Sequence, residues 1–186
     1  MTDLIPMTAL GATEPRRETH GALTLVENAD LALASLTLRR GQSAPSPFGL
    51  TLPPAGQAVA GANAGAFWID RDQWMIEGPG QGASDFCAGV LAEAPACSVS
   101  EQTDGFTAFE ITSSGGAGFV EPLLAKLVNL DPKGFTPGSV ARTNLEHMSV
   151  FLLRRSDDHL AVIGMRTYAQ ALWHALATAA RGWGGR

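Results

Sequence analysis

Between Pro137 and Trp173 three apolar runs follow one another across short polar breaks, and a helical pattern follows the third. No other stretch constrains the fold as much. Residues 139–145, 148–154 and 159–165 are rich in Val, Ile, Leu and Phe, the signature of strands, and Arg155, Ser156, Asp157 and Asp158 form the clearest break between them. Thr167 predicts a helix start: its hydroxyl can accept from the backbone N–H three residues on while Gln170 reaches back, as in a capping box. Tyr168, Leu172 and Leu176 then recur at one-turn spacing. Such an apolar stripe requires a sheet to cover.

Composition limits what this element belongs to. With 186 residues, 45% apolar and 17% charged, the chain can bury a core and is not globally disordered. A single domain over residues 20–180 is expected, preceded by a flexible or partner-bound segment, 1–19, and followed by a short tail, 181–186. Residues 1–19 combine Pro6, Gly11 and Pro15 with mixed charge and no sustained period. A net charge of −5, with Lys and Arg scattered, argues against a dedicated nucleic-acid binder, which needs a basic stripe to neutralise phosphates. No apolar run is long enough to span a bilayer, and the N-terminus lacks a basic start followed by an apolar core, so a soluble cytoplasmic protein is expected. Cys87 and Cys97 form no C-x-x-C and read as packed thiols.

The rest of the chain supplies further strands and two more helices. Residues 23–26 and 31–39 give two candidate strands, with a helix over 31–38 as an alternative. Residues 41–65 have a loop composition, and a connection of that length is usually functional or draped on another surface. Residues 66–70 and 73–77 pair as a hairpin across Arg71-Asp72, and residues 84–93 read as a short helix with Phe86 and Val90 inward. Asp104-Gly105 predicts a second hairpin, between strands 97–103 and 106–112. Val120, Leu123, Leu124 and Leu127 mark a helix in which Pro122 fits only the first turn. Strand pairs follow one another more often than βαβ units repeat. The expected class is therefore α+β: antiparallel sheets with helices on one face, in ferredoxin-like β-α-β-β-α-β halves starting at Ala66 and Cys97.

Near misses dominate the search for chemistry. Gly115-Gly116-Ala117-Gly118 lies between a strand and a helix but completes neither G-x-G-x-x-G nor a Walker lysine motif. Gly82-Ala83-Ser84-Asp85 lacks the second glycine of a nucleophile elbow, and Ser84 reads instead as a helix N-cap. His20, His147, His159 and His174 show no metal-ligand spacing, and Asp157-Asp158 reads as a solvated turn tip. Trp68 and Trp74 are expected to fill the core under a helix, whereas Trp183, in the tail, has no evident core to enter. Arg142 sits mid-strand, where a guanidinium needs either an internal carboxylate or a partner surface. The chain is expected to hold no catalytic, cofactor-binding or metal-ligating residue of its own.

Four segments together resemble a known family. Phe67-Trp-Ile-Asp-Arg-Asp-Gln-Trp74-Met-Ile, Thr103-Asp-Gly-Phe-Thr-Ala-Phe-Glu-Ile111, Pro137-Gly-Ser-Val-Ala-Arg-Thr143 and Arg166-Thr-Tyr-Ala-Gln-Ala-Leu-Trp173 are similar, in order and spacing, to the gamma subunit of heterotetrameric sarcosine oxidase, over residues 48 to 180. The resemblance implies a fold related to folate-binding aminomethyltransferase domains at about half their length. It also implies a non-catalytic accessory subunit of a complex that oxidatively demethylates sarcosine, or a related N-methyl amino acid, with tetrahydrofolate as one-carbon acceptor. Alpha, beta and delta subunits would be the partners, and FAD, FMN, NAD, zinc and tetrahydrofolate would belong to them. Arg142, Arg166, Tyr168 and Trp173 are the implied partner contacts. Glu101, Thr103 and Phe106 stand where the family pattern has Asp, Ser and Arg, which leaves open whether sarcosine, N-methylglutamate or another methylamine is the substrate. The alternative is a free-standing tetrahydrofolate-binding protein of the aminomethyltransferase type.

Overall fold

The computed structural model describes residues 5–182, so residues 1–4 and the tail from Trp183 to Arg186 lie outside the described residues. Among the described residues eleven strands and three α-helices run in the order β1 Arg17–His20, β2 Leu23–Asn28, β3 Leu31–Leu38, β4 Ala58–Ala60, β5 Gly65–Asp70, β6 Gln73–Pro79, α1 Phe86–Glu93, β7 Cys97–Glu101, β8 Phe106–Ser113, α2 Val120–Leu127, β9 Val140–Leu145, β10 Met148–Ser156, β11 His159–Met165 and α3 Ala169–Arg181. They form a six-stranded sheet, β1-β2-β8-β11-β10-β9, and a five-stranded sheet, β4-β5-β6-β3-β7, with antiparallel pairing throughout. The class is α+β. No described helix is long and apolar enough to cross a membrane.

Period-2 alternation explains why the longest strands read as continuous apolar runs. In β10, Val150 and Leu152 join a core with α2 and α3, while Phe151 and Leu153 join an inter-sheet layer with Phe67 and Met75 of the other sheet. In β11, Leu160 and Val162 face the helices, and Ala161 and Ile163 face the second sheet. Strand β3 repeats the arrangement, with Leu31 and Leu33 in the inter-sheet layer and Ala32, Ala34 and Leu36 against Phe86 and Val90 of α1. The result is four layers: α2 and α3, the six-stranded sheet, the five-stranded sheet, and α1. Each sheet carries helices on one face and the other sheet on the opposite face. Burial on both faces also removes the helical alternative for residues 31–38.

Several local expectations are corrected. Asp104-Gly105 does not close a hairpin, because β7 pairs with β3 in one sheet and β8 pairs with β2 and β11 in the other. Chain contacts enforce the crossover. The Gln102 N–H donates to the Leu33 carbonyl at 2.9 Å, keeping the chain on β3, whereas three residues later the Gly105 carbonyl accepts from the Arg166 N–H at 3.0 Å, on the far sheet. The sheet boundary therefore falls after Glu101, not at Cys97. The cap of α1 is Asp85, whose carboxylate accepts from the Ala88 N–H, and the Ser84 hydroxyl donates to the Gln81 carbonyl instead. No capping box forms at Thr167. A 3-10 turn, Arg166–Tyr168, precedes α3, and the Gln170 amide donates to the Leu10 carbonyl at 2.8 Å. Tyr168 is left exposed, and the buried stripe of α3 runs instead through Ala169, Leu172, Trp173 and Leu176. The polar break at Arg155 is also shorter than its composition suggests, because β10 continues through a bulge to Ser156.

Part of the segment before β2 is held in place. Glu27 is buried and accepts from the Leu10 and Arg16 N–H groups at 3.0 and 3.1 Å, so its carboxylate is satisfied by backbone. Strand β1 then pairs with β2. Trp74 fills the core beside α1 as expected, and its indole N–H donates to the Pro53 carbonyl at 2.8 Å, pinning the long 41–57 connection.

Gly164 tests how closely α3 sits on β11. A methyl there would come within 2.8 Å of Leu172 Cδ2 and 3.3 Å of Val150 Cγ1. Gly164→Ala is expected to cost about 1–3 kcal/mol through overpacking, read as a lower urea midpoint at unchanged m-value.

Candidate functional site

The apolar layer between the sheets ends differently on its two sides. On one side, strands from both sheets bring four ionisable side chains and one amide together: Asn28 of β2, Glu77 of β6, Glu110 of β8, Arg155 of β10 and His159 of β11. Arg155 donates two bonds to Glu77, at 2.8 and 3.2 Å, and two to Glu110, at 3.1 and 3.2 Å. His159 Nε2 lies 2.8 Å from Glu110 Oε2, and the Asn28 amide donates to Glu110 Oε1 at 3.2 Å. One guanidinium thus spans the sheets with two bidentate carboxylate pairs, a geometry that lysine could not reproduce. Gly65 leaves room for it, since a Cβ there would meet Glu77 Oε2 at 3.2 Å.

Electrostatics make this cluster a clamp and not an acid–base pair. Burial alone would raise the Glu110 pKa, but the His159 hydrogen bond and the Arg155 charge outweigh it and hold the carboxyl at about 2. Burial alone would likewise lower that of Arg155, yet Glu77 and Glu110 push it above the ordinary arginine range. Both groups stay charged at neutral pH, and a carboxylate held so low is a poor proton acceptor. Next to them Arg154 is buried, donating to the Phe135 carbonyl at 2.7 Å and pairing with Asp157 at 3.3 Å. Asp157 is therefore tied to the strand it follows, while Asp158 accepts from the Ser156 hydroxyl.

The other side opens into a cleft of about 340 Å³. Its floor and walls include Phe106, Phe151, Met75 and Met165, and its polar groups include Arg142, Gln73, Ser149 and Asp70. The Arg142 guanidinium stands 5.7 Å from the Phe151 ring centroid and forms no ion pair among the described residues. The internal-carboxylate reading of Arg142 is thereby removed. Asp70 turns Oδ1 toward the Arg71 N–H at 2.7 Å. An exposed cation over an aromatic face can hold a carboxylate, with neighbouring amides to orient it.

The four implied contact residues do not share one environment. Arg142 lines the cleft and Tyr168 is 48% exposed. Arg166 donates to the Met7 carbonyl at 2.8 Å and lies 4.0 Å from Asp104. Trp173 is 2% exposed: its indole N–H donates to Glu18 Oε1 at 3.1 Å, its ring meets the Phe109 ring edge-on at 5.3 Å, and Arg16 covers it at 5.2 Å. The surface of Trp173 is thus taken by the chain's own N-terminal segment.

Sequence reasoning missed the clamp because its members are 45 to 78 residues apart where they pair with Arg155. A signal existed. Glu77 ends Trp-Met-Ile-Glu and Glu110 interrupts Ala-Phe-Glu-Ile, so each is an acidic residue inside an apolar strand, where a charge needs a partner.

No family model matches the sequence, and no curated protein matches it either. Solved structures do match. A chain of the heterotetrameric sarcosine oxidase from Corynebacterium sp. U-96, in complex with pyrrole 2-carboxylate, superposes with a TM-score of 0.71 at 18% identity, covering 91% of this chain and 89% of that one. The two share a fold. The glycine cleavage system aminomethyltransferase T from Bartonella henselae superposes with a TM-score of 0.62 at 16% identity, covering 88% of this chain but 50% of the other. The chain thus corresponds to half of the aminomethyltransferase.

The clamp sets an acid limit on stability. Glu110 has an ordinary pKa of 4.5 and a folded one of about 2, so its contribution is full above the first and is lost as pH falls toward the second. Chemical denaturation across that window is expected to lose on the order of 3 kcal/mol, and Glu110→Gln should flatten the loss. Arg155→Met, which leaves Glu77 without its partner and Glu110 with only Asn28 and His159, is expected to cost about 3–5 kcal/mol at neutral pH.

Proposed function

We propose that this chain is an accessory, gamma-type subunit of a heterotetrameric sarcosine oxidase-like complex, and that it carries no catalytic group itself. The observation that carries the reading is extent: the shared fold covers nearly all of this chain and nearly all of the sarcosine oxidase chain. The four-segment resemblance supports the same assignment. In this reading the complex demethylates sarcosine or a related N-methyl amino acid oxidatively, passing the one-carbon unit to tetrahydrofolate. The alpha, beta and delta subunits hold FAD, FMN, NAD, zinc and the folate. The chain works in the cytoplasm with those partners.

One observation favours a second reading. The cleft of about 340 Å³ lies at the low end of the range of small-molecule sites, with a cation and amides around apolar walls. A free-standing tetrahydrofolate-binding protein of the aminomethyltransferase type would use it. The residues offer an anion-holding group, but the clamp carboxylates face the other side of the layer and are neutralised by Arg155.

Co-expression separates the two. On the subunit reading the chain co-purifies stoichiometrically with the large, flavin-bearing subunit of such a complex from the same host, and the isolated chain gives no heat with tetrahydrofolate in calorimetry. Folate binding or turnover by the isolated chain, with no assembly, would replace this reading by the second.

A further inference from the structure

Exposed large apolar side chains are unevenly placed on this molecule. Leu91 lies on α1 and Phe48 stacks on its Phe86, whereas Met165 lines the cleft, Met7 lines the adjoining groove and Tyr168 ends the turn that follows Met165. Their continuity is traceable through named contacts. The Met7 carbonyl accepts from Arg166, and Met7, Arg166 and Phe106 line one groove. Phe106 is the cross-strand partner of Met165, and both also line the cleft that holds Arg142. An apolar rim with two cations set in it thus runs across the ends of β8 and β11.

The charges on this rim are unspent. Arg142 pairs with no carboxylate among the described residues, and the only acidic contact of Arg166 among them is Asp104 at 4.0 Å, whose side chain is 96% exposed and whose attraction is screened by water. A guanidinium resting on an aromatic ring has one face already desolvated and its donors directed outward, which suits an incoming carboxylate. Asp70 also lines the cleft, but its carboxylate accepts from the Arg71 N–H and makes no ion pair with Arg142.

We infer that this end of the sandwich seats a partner subunit, which projects an Asp or Glu side chain into the cleft onto Arg142 and rests apolar residues on Met165 and Tyr168. The inference rests on the subunit reading above and adds the surface and the chemistry of the contact. A protein segment fits better than a small ligand, because the cleft does not close around its contents. It passes at Phe106 into the groove lined by Met7 and Arg166, a length that a small molecule would leave in water.

The test uses the full chain and the large subunit of the complex from the same host, with the dissociation constant read by calorimetry. Arg142→Glu and Met165→Asp are each expected to weaken assembly about tenfold or more, while Leu91→Ser, on the exposed face of α1, stays within about twofold. Melting temperatures identify any variant that fails to fold, and either rim variant suffices. Raising the salt concentration should weaken the wild type more than Arg142→Met. If assembly forms and both rim variants match the wild type, this surface is wrong and the subunit reading stands. If the wild type does not assemble, both fall. Benzoate serves as the small carboxylate probe: micromolar binding that Arg142→Met abolishes would make the cleft a ligand site and overturn the docking proposal.

Discussion

The guanidinium of Arg155 between Glu77 and Glu110 is the interaction on which the two-sheet arrangement depends. The sheets otherwise meet through apolar contact among residues such as Phe67, Phe151, Leu153 and Ile163, which is strong but non-directional. Apolar contact would tolerate sliding of one sheet over the other. Two bidentate pairs on opposite sheets would not, because each needs its oxygens within about 3 Å. Desolvating three charges is expensive, and replacing such a triad with apolar residues can leave stability unchanged or raise it. What the triad adds is registration: Glu77, Glu110 and Arg155 satisfy one another in a single relative placement of β6, β8 and β10. The depressed pKa of Glu110 records how firmly that placement favours the charged form.

Sheet formation was legible in the sequence because burial on both faces writes a continuous apolar run. Residues 139–165 yielded three antiparallel strands close to their expected limits, and the hairpin across Arg71-Asp72 formed with Asp72 in the left-handed region. Local turn chemistry was less reliable. Asp104-Gly105 has the composition of a hairpin, but the pairing of the next strand is set by which sheet still has a free edge. Phe106 to Ser113 finds β2 and β11 on either side, whereas the free side of β7 offers one partner at most. Thr167 had the right spacing for a capping box, but Leu10 arrives from 160 residues away and takes the Gln170 amide. Local propensity lost in both cases to contacts that no window of sequence contains.

The same limit applies to the candidate site. Arg142 could be singled out from sequence, because a charge in mid-strand is conspicuous, but its surroundings could not. Trp173 illustrates the reverse error. An aromatic on a terminal helix suggests an interface anchor, yet its ring is used inside the molecule, between Phe109 and the Arg16–Glu18 pair. The N-terminal segment, tied down by Glu27, converts that anchor into a latch for the chain itself. Exposure, not residue type, separates Tyr168 from Trp173 as a candidate for the proposed contact.

The two ends of the inter-sheet layer differ in a way that bears on function. Each end contains an arginine from neighbouring strands, β10 and β9, and each arginine borders the same apolar filling. At one end two carboxylates complete the guanidinium. At the other, Arg142 has an aromatic ring on one side and solvent on the other, in a cleft that widens into exposed apolar surface. A fold able to neutralise Arg155 so fully could have neutralised Arg142 by placing one acidic residue on β10 opposite it, where Phe151 stands instead. A cation that the fold leaves without an ion-pair partner among the described residues is the group on which the proposed contact with a partner chain rests.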